Sequence, residues 1–282
     1  MKSSISLGER MKAYEGISRN FLMRRTPAII RVDGKAFHSF TRGFDMFDHI
    51  MDETMKFLCE NIQGCVMAYK QSDEISLVLT DYATIQTDAW FGYNIQKMSS
   101  IAASMATLEF NRKFRELVNA ELAELKRTDI GPVIPTPGGL RRAGDGNTKA
   151  IERIKKVYAS KFNKALFDAR VFSLPVEEVC NYMIWRQQDA TRNSIEIVGR
   201  TMFGHARMKN VTCNQAQDLL FKEKGINWND YPTVFKRGCC CIKVDTEVPT
   251  GEDGKFVVRR KWKIDDEIPI FTKNREYIET LL

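Results

Sequence analysis

Residues 29–38 (IIRVDGKAFH) and 67–79 (MAYKQSDEISLVL) decide the fold, because each carries an apolar or β-branched run to an aspartate where a strand has to stop or turn. The first stretch predicts a buried strand over residues 28–32. The second predicts a hairpin that turns at residues 71–74. A helix is predicted between them, since apolar residues recur three, four and seven positions apart over residues 45–63.

The order of strand, helix and hairpin predicts that two carboxylates meet at one end of a sheet. A strand–helix–strand crossover places the second strand beside the first, which brings Asp33 and Asp73 side by side. Carboxylates held in this way repel each other unless divalent cations neutralise them, and Mg²⁺ prefers oxygen ligands together with substrate phosphates. With Glu74 beside Asp73, the pattern favours a two-metal site for phosphoryl or nucleotidyl transfer. The alternative for either aspartate alone is a cap on a turn or a helix.

A glycine follows the first aspartate and predicts a sharp turn of the main chain at Gly34. The main-chain N–H groups after this turn are then able to curl round a negatively charged group as an anion nest. We expect four residues to hold nucleotide phosphates in this way, namely Lys35, Ala36, Phe37 and His38.

The composition excludes several other classes of protein. With 282 residues and 43% hydrophobic content, the chain can bury one large core, and its net charge of +7 is compatible with a polyanionic partner. No apolar run is long enough to span a bilayer, and residues 1–20 lack the core of a signal peptide, so we expect a cytoplasmic protein without membrane contact. The seven cysteines include no CxxC spacing, which argues against disulfides and zinc, and residues 239–241 (CCC) predict a strand rather than a metal site.

Four ordered blocks of sequence resemble the tRNA-His guanylyltransferase family. They are residues 31–40 (RVDGKAFHSF), 71–76 (QSDEIS), 167–171 (FDARV) and 185–189 (WRQQD), and together they extend over most of the chain. The resemblance is closer to the bacterial and archaeal-type branch of that family, the guanylyltransferase-like 3′-to-5′ polymerases, which extend RNA at its 5′ end.

The resemblance implies an α/β (α+β) fold like a polymerase palm, with a ferredoxin-like antiparallel sheet backed by helices and a C-terminal part of helices and a β-hairpin. It implies a palm-like catalytic domain over residues 1–205, with a mobile insertion at about 126–148, and a supporting subdomain over residues 206–282. It also implies a homo-tetramer. A short amphipathic helix over residues 7–15 is expected to pack against the palm.

The resemblance further implies template-dependent addition of nucleotides to the 5′ end of tRNA, with two Mg²⁺ ions and with ATP, GTP and other nucleoside triphosphates as substrates. Asp33, Asp73 and the Gly34 carbonyl would hold the metal ions, with Glu74 in support. The side chains that would contact the nucleotide are Ser72, Lys97 and Asn193, of which Lys97 is otherwise a solvated helix residue.

Two departures from the family pattern bear on the substrate. Met46 and Phe47 stand where the family commonly has a lysine-proline pair, and Arg42 is close enough in sequence to replace the lysine. A helix is predicted over residues 176–188; beyond it, Thr191 takes the place of a histidine in the eukaryotic signature, while Asn193 is retained. The loss of this histidine favours copying of a template base over strict selection of tRNA-His.

Two basic segments are candidates for RNA binding. Residues 126–147 contain three prolines and five glycines, which predict a long mobile loop carrying Arg141 and Arg142; this loop is either an RNA-contacting flap or a disordered insertion. A predicted helix follows with a basic face that includes Lys155 and Lys156, and it is either a phosphate-binding surface or a solvated one.

Two other functions remain compatible with the residues. A palm-type nucleotide cyclase uses the same pair of acidic turns and needs no RNA. A non-catalytic RNA-binding module is favoured by the basic helix and loop, although it gives no reason for the paired carboxylates.

Overall fold

The computed structural model describes residues 5–41, 47–128, 133–136, 139–142, 145–249 and 256–282, with the side chains of His38 and of residues 126–150 left undescribed. The strands are β1 (Ala28–Gly34), β2 (Cys65–Gln71), β3 (Glu74–Leu79), β4 (Val133–Thr136), β5 (Gly139–Arg142), β6 (Phe167–Ser173), β7 (Cys239–Pro249) and β8 (Phe256–Asp265). The helices are α1 (Leu7–Ile17), α2 (Phe37–Phe40), α3 (Phe47–Asn61), α4 (Ile95–Thr128), α5 (Asp145–Val157), α6 (Val176–Phe203), α7 (His205–Met208), α8 (Cys213–Lys224), α9 (Thr233–Arg237) and α10 (Glu276–Glu279).

Six strands form one antiparallel sheet in the order β6-β1-β3-β2-β7-β8. Its first four strands and the helices α3 and α4 follow one another along the chain as β1-α3-β2-β3-α4-β6, which is the split βαβ arrangement of ferredoxin-like folds. The predicted palm-like sheet backed by helices is therefore confirmed.

The predicted adjacency of the first two strands is wrong. β3 lies between β1 and β2, because the return strand of the hairpin, and not its approach strand, pairs with β1. β3 is buried at every position after Glu74, so the centre of the sheet suits its unbroken apolar run. Asp33 pairs with Glu74 in this register, and Asp73 is still placed beside the end of β1.

Helices cover both faces of the sheet. On one face, α3 and α4 pack on the sheet through buried residues that include Leu58, Phe110 and Phe114. Ala102 and Ala106 are fully buried in α4, and their small side chains let the helix lie close to the strands. On the other face, α6 packs through Val179, Cys180 and Met183.

The sheet continues across the predicted domain boundary at residue 205. Residues 239–242 of β7 pair with β2, so the C-terminal part joins the palm sheet instead of forming a sheet of its own. Cys240 lies in the core on the α6 side, whereas Cys239 and Cys241 lie in the core on the α3 side. The strand predicted for the three cysteines is confirmed, and all seven cysteines of the chain are unpaired.

A buried glutamine fastens the C-terminal segment to α6. The side-chain amide of Gln187 donates to the carbonyl oxygen of Pro269 (2.9 Å) and accepts from the main-chain N–H of Phe271 (2.8 Å). Ile268, Phe271 and Ile278 are fully buried in the core between α6 and the sheet. The C-terminal segment therefore contributes Ile268, Phe271 and Ile278 to the palm core.

Two local predictions differ from the structure. The predicted loop at residues 126–147 contains the end of α4, the hairpin β4-β5 and the start of α5; Pro135 is tolerated there because it lies in an isolated two-stranded hairpin with free edges. The N-terminal helix α1 buries none of its residues, so it does not pack against the palm. Its apolar residues Leu7, Met11 and Tyr14 are exposed. Across the described residues, we find no helix with the length and apolar character needed to cross a membrane.

The packing of α3 on the sheet predicts an asymmetry between two leucine substitutions. Leu58 is fully buried, whereas Leu108 on α4 is 68% exposed. Leu58→Ala leaves a cavity and should lower the free energy of unfolding by about 2–5 kcal/mol. Leu108→Ala should change it by less than about 0.5 kcal/mol. Urea denaturation of both variants measures the difference, and equal losses would contradict the described core.

Candidate active site

The end of β1 and the turn between β2 and β3 meet at Asp33 and Asp73. The main-chain N–H of Gly34 donates to the carbonyl oxygen of Asp73 (3.1 Å), which ties the strand end to the turn. The turn itself consists of Ser72 and Asp73, and Ser72 has a left-handed backbone with φ of 49°. The predicted meeting of the two aspartates is therefore found, although the connecting strands differ from those predicted.

Both carboxyl groups lie in an environment that disfavours their negative charge. Burial raises the pKa of Asp33 above its ordinary value, and Asp168, directly across on β6, raises it further. Arg31 and Arg170 act in the opposite direction on this pKa. The pKa of Asp73 is also raised, chiefly by burial and in addition by the charges of Asp33 and Glu74.

The donor atoms at this end of the sheet suit a hard divalent cation. Neither Asp33 nor Asp73 forms an ion pair with a described residue, and the charges of Arg31 and Arg170 do not outweigh the effects that raise the pKa of Asp33. The available ligands are carboxylate and carbonyl oxygens, which Mg²⁺ prefers, and Mg²⁺ commonly takes only one or two carboxylates and completes its shell with water and substrate phosphates. In the described part of the chain no cluster of three or more His, Cys, Asp or Glu side chains is arranged to bind a metal. The chemistry of these oxygen donors therefore fits Mg²⁺.

Glu74 is held by two arginines. Its carboxylate lies 3.1 Å from Nη1 of Arg186 on α6 and 3.7 Å from Nε of Arg31, and Gln71 donates to it across 3.4 Å. The guanidinium of Arg186 stacks on the ring of Trp185, with 3.5 Å between its central carbon and the ring centroid. Glu74 thus joins the hairpin to α6, directly beside Asp73 in the chain.

Gly34 is required for a reason that differs from the predicted one. A Cβ at this position would lie 2.0 Å from the ring of Phe37, whose side chain is buried in the core. The left-handed residue is Ala36 (φ 57°), so the main chain turns there and not at the glycine. Close approach of the aromatic ring, and not a special φ, therefore excludes side chains at Gly34.

The predicted anion nest is incomplete. The N–H of Lys35 donates to the carbonyl oxygen of Leu166 (2.8 Å), because the pairing of β1 with β6 continues past Gly34, and this donor is not available to a phosphate. The prediction for the main chain of Lys35 is wrong in this respect. The N–H groups of Ala36, Phe37 and His38 precede or begin the short helix α2, and the side chain of His38 lies outside the described residues.

A cleft of about 600 Å³ opens beside the two aspartates, between the hairpin turn and α6. It brings Asp33, Asp73 and Glu74 together with three predicted nucleotide contacts, Phe37, Ser72 and Asn193. Further lining residues that the sequence analysis did not identify are Phe47, Asp189, Glu196, Ile197, Arg200 and Thr201. A smaller pocket of about 200 Å³ adjoins the cleft, with apolar walls that include Phe47, Val234 and Phe235.

The helix α6 explains why several lining residues were missed. The sequence predicts a helix over residues 176–188, but α6 continues to Phe203. Asp189, Asn193 and Arg200 consequently lie on one helical face, since they are four and seven positions apart. Extension of the helical period beyond residue 188 is the signal that could have identified them.

Other predicted site residues lie away from the cleft. Lys97 is in the first turn of α4, ten residues before Thr107, whose hydroxyl accepts from the N–H of Phe167 opposite Gly34. This separation is about 15 Å along the helix axis, so Lys97 does not reach the aspartates of its own chain. Lys155 and Lys156 are exposed at the end of α5. The side chains of Arg141 and Arg142, and all of Arg42, lie outside the described residues.

A family model, two solved structures and a relative from yeast all relate this chain to tRNA(His) guanylyltransferases. The family model described as tRNAHis guanylyltransferase matches residues 8–175. A solved structure of a bacterial tRNA(His) guanylyltransferase (Thg1)-like protein in complex with ATP is 36% identical, with a TM-score of 0.72 and coverage of 98% of each chain. A second such structure, in complex with GTP, is 35% identical, with a TM-score of 0.68 and the same coverage. The tRNA(His) guanylyltransferase of Schizosaccharomyces pombe is 25% identical over 304 residues, covering 97% of each chain.

The raised pKa of Asp73 predicts that its charge weakens the fold. The folded chain holds the Asp73 proton more tightly than the unfolded chain does, so the stabilising effect of the protonated form is lost as the pH rises through the folded-state pKa. At pH 7.5 without divalent cations, Asp73→Asn should therefore raise the Tm by roughly 1–4 °C.

Thermal unfolding at two pH values checks this expectation. The gain should shrink as the pH approaches the ordinary aspartate pKa of about 3.9, where the wild-type carboxyl is itself protonated. Asp266→Asn, at an exposed position outside the cleft, is the matched control and should leave the Tm unchanged. A lower Tm for Asp73→Asn at pH 7.5 would contradict the described electrostatics.

Proposed function

We propose a reaction for this chain from one premise: it belongs to the tRNAHis guanylyltransferase family and is a nucleotidyltransferase. The proposed reaction is template-dependent addition of nucleotides to the 5′ end of a tRNA, so that the RNA grows in the 3′-to-5′ direction. The observation that carries the proposal is the pair of half-buried aspartates with raised pKa values at the end of a palm sheet, beside a cleft of about 600 Å³.

Two Mg²⁺ ions complete the proposed site, held by Asp33, Asp73 and the carbonyl oxygen of Gly34. When bound, the ions would neutralise phosphate charge and make a hydroxyl group more acidic. The chain's own contribution is to hold the two carboxylates at a fixed separation, through the bond between the Gly34 N–H and the Asp73 carbonyl. Glu74 keeps the turn in place through its ion pair with Arg186.

The proposed chemistry has two steps at this one cleft. A 5′-monophosphate of the RNA attacks the α-phosphorus of ATP or GTP, so that pyrophosphate leaves and the 5′ end becomes activated. The 3′-hydroxyl of an incoming nucleoside triphosphate then attacks the activated 5′-phosphate, and the nucleoside monophosphate leaves. Ser72 and Asn193 line the cleft where the nucleotide would bind, and the adjoining apolar pocket is suited to a base.

The position of Thr191 supports a broad choice of tRNA. Thr191 lines a separate pocket of about 310 Å³ with Trp228 and Lys236, and it does not line the acidic cleft. With threonine in place of the histidine of the eukaryotic signature, base pairing with a template is the remaining source of selection. We therefore propose repair of truncated 5′ ends as well as maturation of tRNA-His.

Contacts with tRNA and with other subunits are assigned from exposure and charge. The exposed Lys155 and Lys156, together with Arg141 and Arg142, would contact the RNA backbone. The exposed apolar residues of α1 are compatible with a homo-tetramer. Lys97 is too far from the aspartates of its own chain, so its proposed phosphate contact belongs to a neighbouring subunit.

Seven unpaired cysteines suit the reducing conditions of the cytoplasm, where we place the reaction.

An extension assay tests the reaction. tRNAs that lack their first nucleotide, with either a 5′-monophosphate or a 5′-triphosphate, are incubated with Mg²⁺ and each nucleoside triphosphate in turn, while the opposing base is varied. Addition should follow Watson–Crick pairing in several tRNAs. Addition of G to tRNA-His alone would contradict template dependence. Formation of a cyclic nucleotide without RNA would favour the cyclase alternative.

Asp33→Asn and Asp73→Asn test the carboxylates and the metal together. Each substitution should lower extension by at least about 10³-fold, because it removes a ligand of the proposed ions. Mg²⁺ should raise the Tm of the wild-type protein through binding to the folded state, and it should not raise the Tm of either variant. Asp266→Asn should retain both activity and the Mg²⁺ effect. Substantial activity in a folded Asp33→Asn protein would contradict the assignment.

A further inference from the structure

The charges that line the acidic cleft are strongly unbalanced. Its described lining includes the carboxylates of Asp33, Asp73, Asp189 and Glu196, and Arg200 is the one cationic side chain among the described lining residues. A nucleoside triphosphate brings further negative charge into this space. A cationic side chain in the cleft wall therefore favours binding of the nucleoside triphosphate, and Arg200 on α6 is such a side chain.

The position of Arg200 along α6 suits an extended ligand. Asn193, Ile197 and Arg200 occupy one helical face, and Arg200 lies two turns beyond Asn193, which is about 10 Å along the axis. The two aspartates line the same cleft as Arg200 and Thr201, which lie near the C-terminal end of α6. A molecule that has one end at the aspartates can thus meet the guanidinium at its other end.

The present partner of Arg200 is easily replaced. Nη2 of Arg200 lies 2.7 Å from Oε2 of Glu196, one helical turn earlier, and the two side chains are 51% and 33% exposed. Exposed pairs of this kind are weak, because solvent screens them and two flexible side chains have to be ordered. Phosphate oxygens bind a guanidinium through two parallel hydrogen bonds and carry more charge than a carboxylate. A phosphate can therefore take the place of Glu196.

The other arginines near the cleft form ion pairs with Glu74 or Asp189. Arg186 is buried against Glu74, with Asp189 3.6 Å away, and Arg192 pairs with Asp189. Arg186 is 7% exposed, so it cannot turn toward a ligand in the cleft without breaking the link between α6 and the hairpin. Arg200 combines a place in the lining with a half-exposed side chain whose ion pair with Glu196 is exposed to solvent.

We propose that Arg200 binds the polyphosphate chain of the nucleoside triphosphate and that Glu196 occupies the same guanidinium when no phosphate is bound. This assignment deepens the proposed function and rests on it, since it names the residue that recognises the triphosphate in the same cleft. It also gives Glu196 a role: its carboxylate competes with phosphate, so the pair selects ligands that carry several phosphates over those that carry one.

Equilibrium binding without RNA tests the assignment apart from turnover. Binding of ATP, inorganic tripolyphosphate and AMP is measured by calorimetry in the presence of Mg²⁺. Arg200→Gln should weaken ATP and tripolyphosphate by about tenfold or more and leave AMP within about twofold. Arg200→Lys should restore part of the affinity, because it keeps the charge but not the paired hydrogen bonds. Glu196→Gln should leave ATP binding as tight as wild type or tighter.

Arg207→Gln is the matched control. Arg207 forms an exposed pair with Glu223 between α7 and α8, and neither residue lines the cleft, so the substitution should change no dissociation constant. Unchanged binding of ATP and tripolyphosphate by Arg200→Gln would overturn the assignment, and so would an equal loss for AMP.

Extension kinetics distinguish the two possible sources of the polyphosphate. If Arg200 contacts the nucleoside triphosphate, Arg200→Gln should raise the KM for the nucleotide with little change in kcat, equally for RNA with a 5′-monophosphate or a 5′-triphosphate. A raised KM confined to RNA with a 5′-triphosphate would overturn the nucleotide assignment in favour of the RNA end. Loss of ATP affinity in Arg200→Gln, with no transfer to RNA by the wild-type protein, would support Arg200 while refuting the proposed reaction.

Discussion

Repulsion between two half-buried carboxylates is the constraint on which the arrangement of this molecule depends. Partial burial disfavours the charge of both aspartates, with Asp168 adding to the effect on Asp33 and Asp33 adding to the effect on Asp73, and yet the surrounding chain holds them together. A main-chain hydrogen bond from Gly34 fixes their separation, and the ion pair of Glu74 with Arg186 fixes the turn against α6. The charges of these carboxylates cost stability, as is common at functional sites, and the proposed Mg²⁺ ions and nucleotide phosphates would offset that cost.

Aromatic side chains pack beneath the end of the sheet at which the two carboxylates lie. The ring of Phe37 lies against Gly34 and within 5.2 Å, centroid to centroid, of the rings of Phe40 and Phe110. Phe167, opposite Gly34 on β6, lies 4.9 Å from Phe37. The end of β1 that carries Asp33 therefore lies directly on a densely packed, aromatic part of the core.

The sequence allowed the local elements and the family to be predicted, because strands, helices and the motifs at Asp33 and Asp73 depend on neighbouring residues. Contacts between distant residues could not be predicted in this way. Nothing local shows that β3 and not β2 pairs with β1, or that Glu74 meets Arg186, 112 positions later. The cleft residues on α6 were missed because the helix continues past residue 188, and this continuation carries Arg200 into the cleft. The position of α6 is set by its packing on the sheet, which involves distant residues.

The two hydrogen bonds of the Gln187 side chain have a consequence for folding during synthesis. α6 carries one wall of the cleft, but its buried glutamine finds its partners in Pro269 and Phe271, which leave the ribosome much later than the helix does. Until then, the apolar face of α6 that packs on Ile268 and Phe271 is uncovered, and exposed apolar surface of this kind recruits chaperones and favours aggregation. The nascent chain can therefore assemble its acidic strand ends early, while the wall opposite them becomes rigid only after the downstream segment has docked.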